Sequence, residues 1–327
     1  MFSKSKIIKY LLLLGILTQG VGCGQDYVVD LIKKVYAKVA THVSIEAYGN
    51  LQATSDLYKQ ALPGEMDENG FIFTDTCDSL LWTGLVSAAD PAVNVNIQTA
   101  ESNGQWFRRP NHDCGPQWGN SRSTISRDQI LGLYWFIWKH QDLKLAISIY
   151  NTWYNNNWLM TGTGTPGELL LSSTEMSELA LMIQRMGGSV PDMEAMTLLP
   201  VSWDTTPGYI SHLTVWHILL EGDIRGYISQ DELNVLTTIY NSNHGNPLFS
   251  AAYHKYTDGN FQEAMDELNH NTQWYPQDHL PNNSNYCSIW LPETTYGSGD
   301  TNPCINTAGP GDNKGFELMV INELVIH

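Results

Sequence analysis

The sequence predicts an all-α fold of stacked helical hairpins, and three observations carry that expectation. Apolar residues recur at helical spacing, as Val28, Val29, Ile32, Val35, Tyr36, Val39 and Val43 do. Ser126-x-x-Gln129, Ser172-x-x-Glu175 and Ser229-x-x-Glu232 each have the form of a capping box ahead of an apolar segment. The core segments lack the apolar–polar alternation of half-buried strands.

In chain order, helices are expected over 26–46, 77–89, 127–140, 142–157, 174–186, 207–220, 230–241, 247–256 and 261–268. Residues 26–46 have the single apolar face just described. Residues 127–139 are apolar nearly all round, as a fully buried helix is. The 174–186 helix opens at the Ser172 box and stops at Gly187-Gly188, and 230–241 opens at the Ser229 box. Residues 315–326 fit either a helix or a strand. Between these elements lie two long loops, about 101–126 and 271–314. Structureless segments of that length in a compact domain are usually functional or disordered.

The N-terminus reads as an address. Lys4, Lys6 and Lys9 precede the apolar run Tyr10–Leu17, and small residues lead to Cys23. The run is too short to span a bilayer, so residues 1–22 are expected to be a secretory signal. Cys23 resembles the acylated cysteine of bacterial lipoproteins, although Gly20 stands where that pattern usually has leucine. Ordinary signal cleavage is the alternative. Residues 23–327 then form one domain, exported as an outer-membrane or cell-surface lipoprotein, or otherwise periplasmic or secreted.

Of the 327 residues, 34 are acidic and 17 basic, for a net charge of −17. Removing residues 1–22, with three lysines and no acids, takes the charge to −20. Such a chain repels a phosphate backbone, which argues against nucleic-acid binding. Setting Cys23 aside leaves Cys77, Cys114, Cys287 and Cys304, an even number that implies disulfides in an exported chain. Three connectivities exist; Cys77–Cys114 and Cys287–Cys304 are favoured because each pair brackets one long loop. Such bridges argue for ordered loops.

Candidate chemistry concentrates in 101–128. Four of the six arginines, Arg108, Arg109, Arg122 and Arg127, fall there, and clustered guanidinium groups suit bidentate binding of an anionic ligand. Pairing with nearby acids to anchor the loop is the alternative. Asp78 and Asp128 each start an apolar helix and are candidates for acid/base work, although first-turn aspartates also serve the helix end itself. His112 is a candidate base. Trp106 and Trp118 are candidate stacking surfaces for sugar rings, whereas Trp135, Trp138 and Trp216 lie within apolar helices and read as core. His212 and His217 lack the i, i+4 spacing of helical metal ligands and read as core or rim residues. No metal site or cofactor is expected. Residues 221–232 mimic a calcium loop, but Arg225 stands at a ligand position and would repel the ion.

The helix pattern, with Thr76-Cys77-Asp78-Ser79-Leu80-Leu81-Trp82 and Ser123-Thr124-Ile125-Ser126-Arg127-Asp128-Gln129, resembles (α/α) toroid proteins, the six-hairpin glycosidases and polysaccharide lyases. About ten helices against twelve imply a complete or truncated toroid. The resemblance implies an exported carbohydrate-active enzyme acting on an anionic polysaccharide, with hydrolysis favoured over elimination. Asp78 and Asp128 would be the acid/base pair, and in a lyase His112 would be the base. A non-catalytic surface lipoprotein that binds glycan or protein, or packs into an assembly, is the competing expectation.

Overall fold

The computed structural model describes residues 52–53, 55–56, 58–60, 62–64, 66–72, 78–111, 125–159, 170–206, 209–242, 246–270 and 316–327. The fold is all-α. Its helices are α1 (Ser79–Ala89), α2 (Arg127–His140), α3 (Leu143–Asn155), α4 (Ser173–Arg185), the short α5 (Met193–Thr197), α6 (Tyr209–Arg225), α7 (Gln230–Ser242), α8 (Pro247–Tyr256), α9 (Gln262–His270) and α10 (Phe316–Ile321). A π-helical turn, Asn322–Ile326, continues α10. The expected helix at 26–46, the 271–314 loop and all five cysteines lie outside the described residues, as do His112, Trp118 and Arg122.

Several ends follow from local chemistry. Two of the three expected capping boxes form: Ser172 with Glu175 at α4, and Ser229 with Glu232 ahead of α7, each pair exchanging side-chain and backbone hydrogen bonds. The third does not. Gln129 turns away from Ser126, and its Oε1 accepts instead from the Leu81 amide in the first turn of α1 (3.1 Å). An orphan N–H of one helix is thus satisfied by a side chain of another. Two very short strands also correct the expectation of an unbroken loop after residue 100. Glu101–Ser102 (β1) pairs antiparallel with Gln105–Trp106 (β2) around Asn103-Gly104, both at positive φ, the turn chemistry that a two-residue hairpin favours.

Helices α1, α2, α6 and α8 run parallel, which their end-to-end contacts establish. At one end Gln129 of α2 meets Asp78 and Leu81 of α1; at the other, the Ser87 hydroxyl meets His140 Nε2 at 2.9 Å. Between these ends Gly84 faces Gly132 so closely that a Cβ on either would strike the other helix's backbone. The C-terminal ends of α2 and α6 are joined where Trp138 Nε1 and Lys139 Nζ both donate to Asp223 Oδ2 at 2.7 Å. Near the N-terminal ends of α6 and α8, His212 Nε2 lies 3.1 Å from Asn246 Nδ2; near their C-terminal ends Gly222 lies against Tyr256. Lys255 of α8 donates to the carbonyls of Leu324 and Val325, and α10 packs back onto α1. Trp82, Trp135, Trp153, Trp216, Tyr134 and Tyr150 fill the core between the helices, with Trp135 and Trp216 edge to face. No helix among the described residues is long and apolar enough to cross a membrane.

Candidate functional site

Parallel helices gather their N-terminal ends on one rim, and the expected acids are there. Asp78 precedes α1, and Asp128 sits in the first turn of α2. Gln129 Nε2 donates to Asp78 Oδ1 at 2.9 Å and lies 3.4 Å from Asp128 Oδ2, so one amide joins both carboxylates. Arg108 Nη1 donates to Asp78 Oδ1 at 3.0 Å, and its Nη2 donates to Ser126 Oγ at 2.8 Å. Ser126 Oγ in turn donates to Asp128 Oδ1. The 30-residue and 50-residue separations along the chain are closed by the α1–α2 crossing, where glycine lets the two backbones approach.

The other candidates divide. Arg108 is buried within that network, and Trp106 is buried in the core with 3% of its surface exposed. Neither presents a free face to a large ligand. Arg109 is partly exposed beside them. Arg127 keeps 52% of its side chain exposed, with Nη2 donating to the Leu170 carbonyl and Nε 3.9 Å from Glu175 Oε2. Among the described residues it is the most exposed of the arginines that the sequence singled out. Among the described residues one cavity of about 300 Å³ lies between the hairpin and α3, and another lies beside Asn69 and Asn94. Asp78 and Asp128 line neither of them.

Beyond Glu175 runs a second polar network that local sequence patterns do not reveal. Glu178 of α4 is fully buried, and both its oxygens lie against His217 Nδ1 of α6, at 2.8 and 2.9 Å. Burial pushes the Glu178 carboxyl up and pulls the His217 imidazole down to about 4. One and two turns further along α6 stand Glu221 and Arg225. Arg225 bridges Glu221 (2.5 Å) and Glu232 at the start of α7 (3.0 Å). The calcium-loop mimic is therefore a helix–turn–helix with an arginine between its two glutamates. Desolvation pushes Glu221 up to about 9. Glu232 moves below the usual carboxylate range: hydrogen bonds from its neighbours and the arginine charge outweigh the desolvation acting on it. The signal for this network was faint, amounting to acids spaced one turn apart on helices otherwise apolar.

Among the described residues no group of His, Cys, Asp and Glu is placed to hold a metal ion. Comparison with protein-family models, with curated proteins and with solved structures returns no match.

Proposed function

We propose that this chain is an exported, lipid-anchored carbohydrate-active enzyme, a hydrolase of anionic polysaccharide, built as a truncated (α/α) toroid. The observation that carries the reading is the meeting of Asp78 and Asp128, 50 residues apart, on one hydrogen-bonded rim. Parallel helices with the last packed on the first support the toroid, and the half-exposed Arg127 supports an anionic ligand. In this reading the rim carboxyl groups protonate the departing glycosidic oxygen and stabilise the positive charge that develops on the sugar.

The Gln129 amide stands between the two carboxylates, where an inverting enzyme keeps its water. The group that activates water is therefore sought elsewhere on the rim. That same knitting of both acids to Gln129, Ser126 and Arg108 favours the second reading, a non-catalytic surface lipoprotein for which the network is scaffolding.

One experiment separates the two readings. Wild type, Asp78→Asn and Asp128→Asn are assayed for reducing ends released from polygalacturonate, alginate and hyaluronan, with folding checked by circular dichroism. Turnover by wild type, lost in both variants, supports the enzyme. Retention of turnover in both removes these acids from the mechanism, and retention of binding without turnover in wild type supports the scaffold. For the anchor, Cys23→Ser is expected to move the protein from the membrane fraction to the soluble one; an unchanged membrane fraction refutes acylation.

A further inference from the structure

We propose that His217, held by Glu178, is the proton-transfer group of this rim and activates the water that cleaves the glycan. The inference rests on the enzyme reading above and names a residue that reading lacks.

The geometry is that of an oriented imidazole. Both oxygens of a fully buried carboxylate grip Nδ1, which fixes the ring plane and leaves only Nε2 for exchange with a ligand. Nε2 has no hydrogen-bond partner among the described residues. It is not one of the buried, unsatisfied polar atoms, and the side chain keeps 10% of its surface exposed. A nitrogen that lacks a protein partner yet is reached by solvent carries none of the ~1–3 kcal/mol cost of a buried unsatisfied group, so Nε2 can accept from water. One nitrogen held by a carboxylate and the other open is the arrangement that suits general acid–base work. The pair connects to the rim through α4. Glu178 is one turn along α4 from Glu175, and Glu175 approaches Arg127, the neighbour of Asp128.

The titratable and charged groups that act on the pair are Glu175 on α4, which faces both partners, and Glu221, Arg225 and Glu232 on α6 and α7, which lie beside Glu178. Burial keeps the ring neutral, which leaves a lone pair at Nε2 to accept a proton, and Glu175 is the neighbour whose charge favours that proton once it arrives. In the step itself a water O–H bond breaks and its proton passes to Nε2. The oxygen's electron pair forms the new bond to the anomeric carbon as the bond to the glycosidic oxygen breaks. That oxygen takes its proton from the Asp78–Asp128 carboxyl pair. Glu178 acts through His217 as a positioning residue.

Two arms test the proposal. In the first, the folded wild-type chain is treated with diethyl pyrocarbonate across a pH series, and the modified histidine is located by peptide mass spectrometry. His217 is expected to react in the native state, and Glu178→Gln is expected to slow its modification, because the carboxylate at Nδ1 makes Nε2 the stronger nucleophile. A His217 that reacts only after unfolding, or an identical rate of modification in the two chains, overturns the proposal without need of any turnover.

The second arm uses whichever of the three polysaccharides the wild type cleaves. His217→Gln is expected to lower kcat by at least about 100-fold with KM little changed, and Glu178→Gln to shift the pH profile of kcat/KM. Full activity in a folded His217→Gln chain, with Asp78→Asn and Asp128→Asn inactive, overturns this inference and leaves the enzyme reading standing. Absence of turnover on all three substrates counts against the enzyme reading, and the modification arm then decides the dyad alone.

Discussion

Replacing Glu221 by Gln should stabilise the protein increasingly as pH rises. Glu221 is wholly buried, and its carboxyl is pushed from an ordinary 4.5 up to about 9. Below pH 4.5 the group is protonated in both folded and unfolded chains and costs nothing. Between those values the unfolded chain releases the proton while the folded chain keeps it. The native state then binds more protons than the unfolded one, so stability falls with rising pH by about 1.4 kcal/mol per unit. From pH 5 to pH 8 the loss from this group amounts to about 4 kcal/mol, a large share of the ~5–15 kcal/mol typical of a folded domain. Glutamine keeps the shape and carries no such proton. Arg225 retains Glu232 at 3.0 Å, so the substitution does not strand its charge. The assay is urea denaturation of wild type and Glu221→Gln at pH 5, 6, 7 and 8. The difference in unfolding free energy should widen with each step in favour of the variant and flatten above pH 9. Parallel stability profiles would refute the reasoning, because they would mean that Glu221 ionises in the folded chain as readily as in the unfolded one.

Two further expectations concern the α1–α2 crossing. Gly84→Ala or Gly132→Ala places a Cβ against the facing helix's backbone, which cannot yield as a flexible side chain can, and each should cost about 3 kcal/mol or more by thermal unfolding. A cost below about 1 kcal/mol would show that the helices separate freely. Arg108→Ala removes the guanidinium from Asp78 in a pair whose side chains are only 9% and 14% exposed; a loss of about 3 kcal/mol is expected. Adding Asp78→Asn to it should restore part of that loss, and a double variant no more stable than Arg108→Ala would refute the stranded-charge explanation.

Helix positions were legible because their signals are local. The expected bounds of α2 and α8 match the structure, since buried apolar runs and end residues act within a few positions. Asn246, for instance, accepts from the Leu248 and Phe249 amides with Pro247 at the first helical position. Helix α6 runs five residues past its expected end at 220, because Arg225 is held by Glu221 within the helix and by Glu232 beyond it. The rim was half legible. Asp78 and Asp128 are visible as acids at helix starts, but Gln129, which by spacing fits a capping box of its own helix, caps the neighbouring one instead. Trp106 and Arg108 looked like ligand contacts by type and place, and the hairpin that carries Trp106 and leads into Arg108 turns both inward.

The sequence by itself determined the all-α class, most helix limits and the residues from which a rim could be made. Periodicity and capping depend on neighbours three or four positions apart, so one dimension suffices for them. Tertiary structure alone decided which helices lie parallel, that Gly84 meets Gly132, and that Glu178 grips His217 across 39 residues. The spacing of His212 and His217 on one helix gave no hint of the last contact, because His217 finds its partner on another helix. Burial then decided the protonation of Glu221 and Glu178, since desolvation is a property of the packed core and not of any residue's place in the chain.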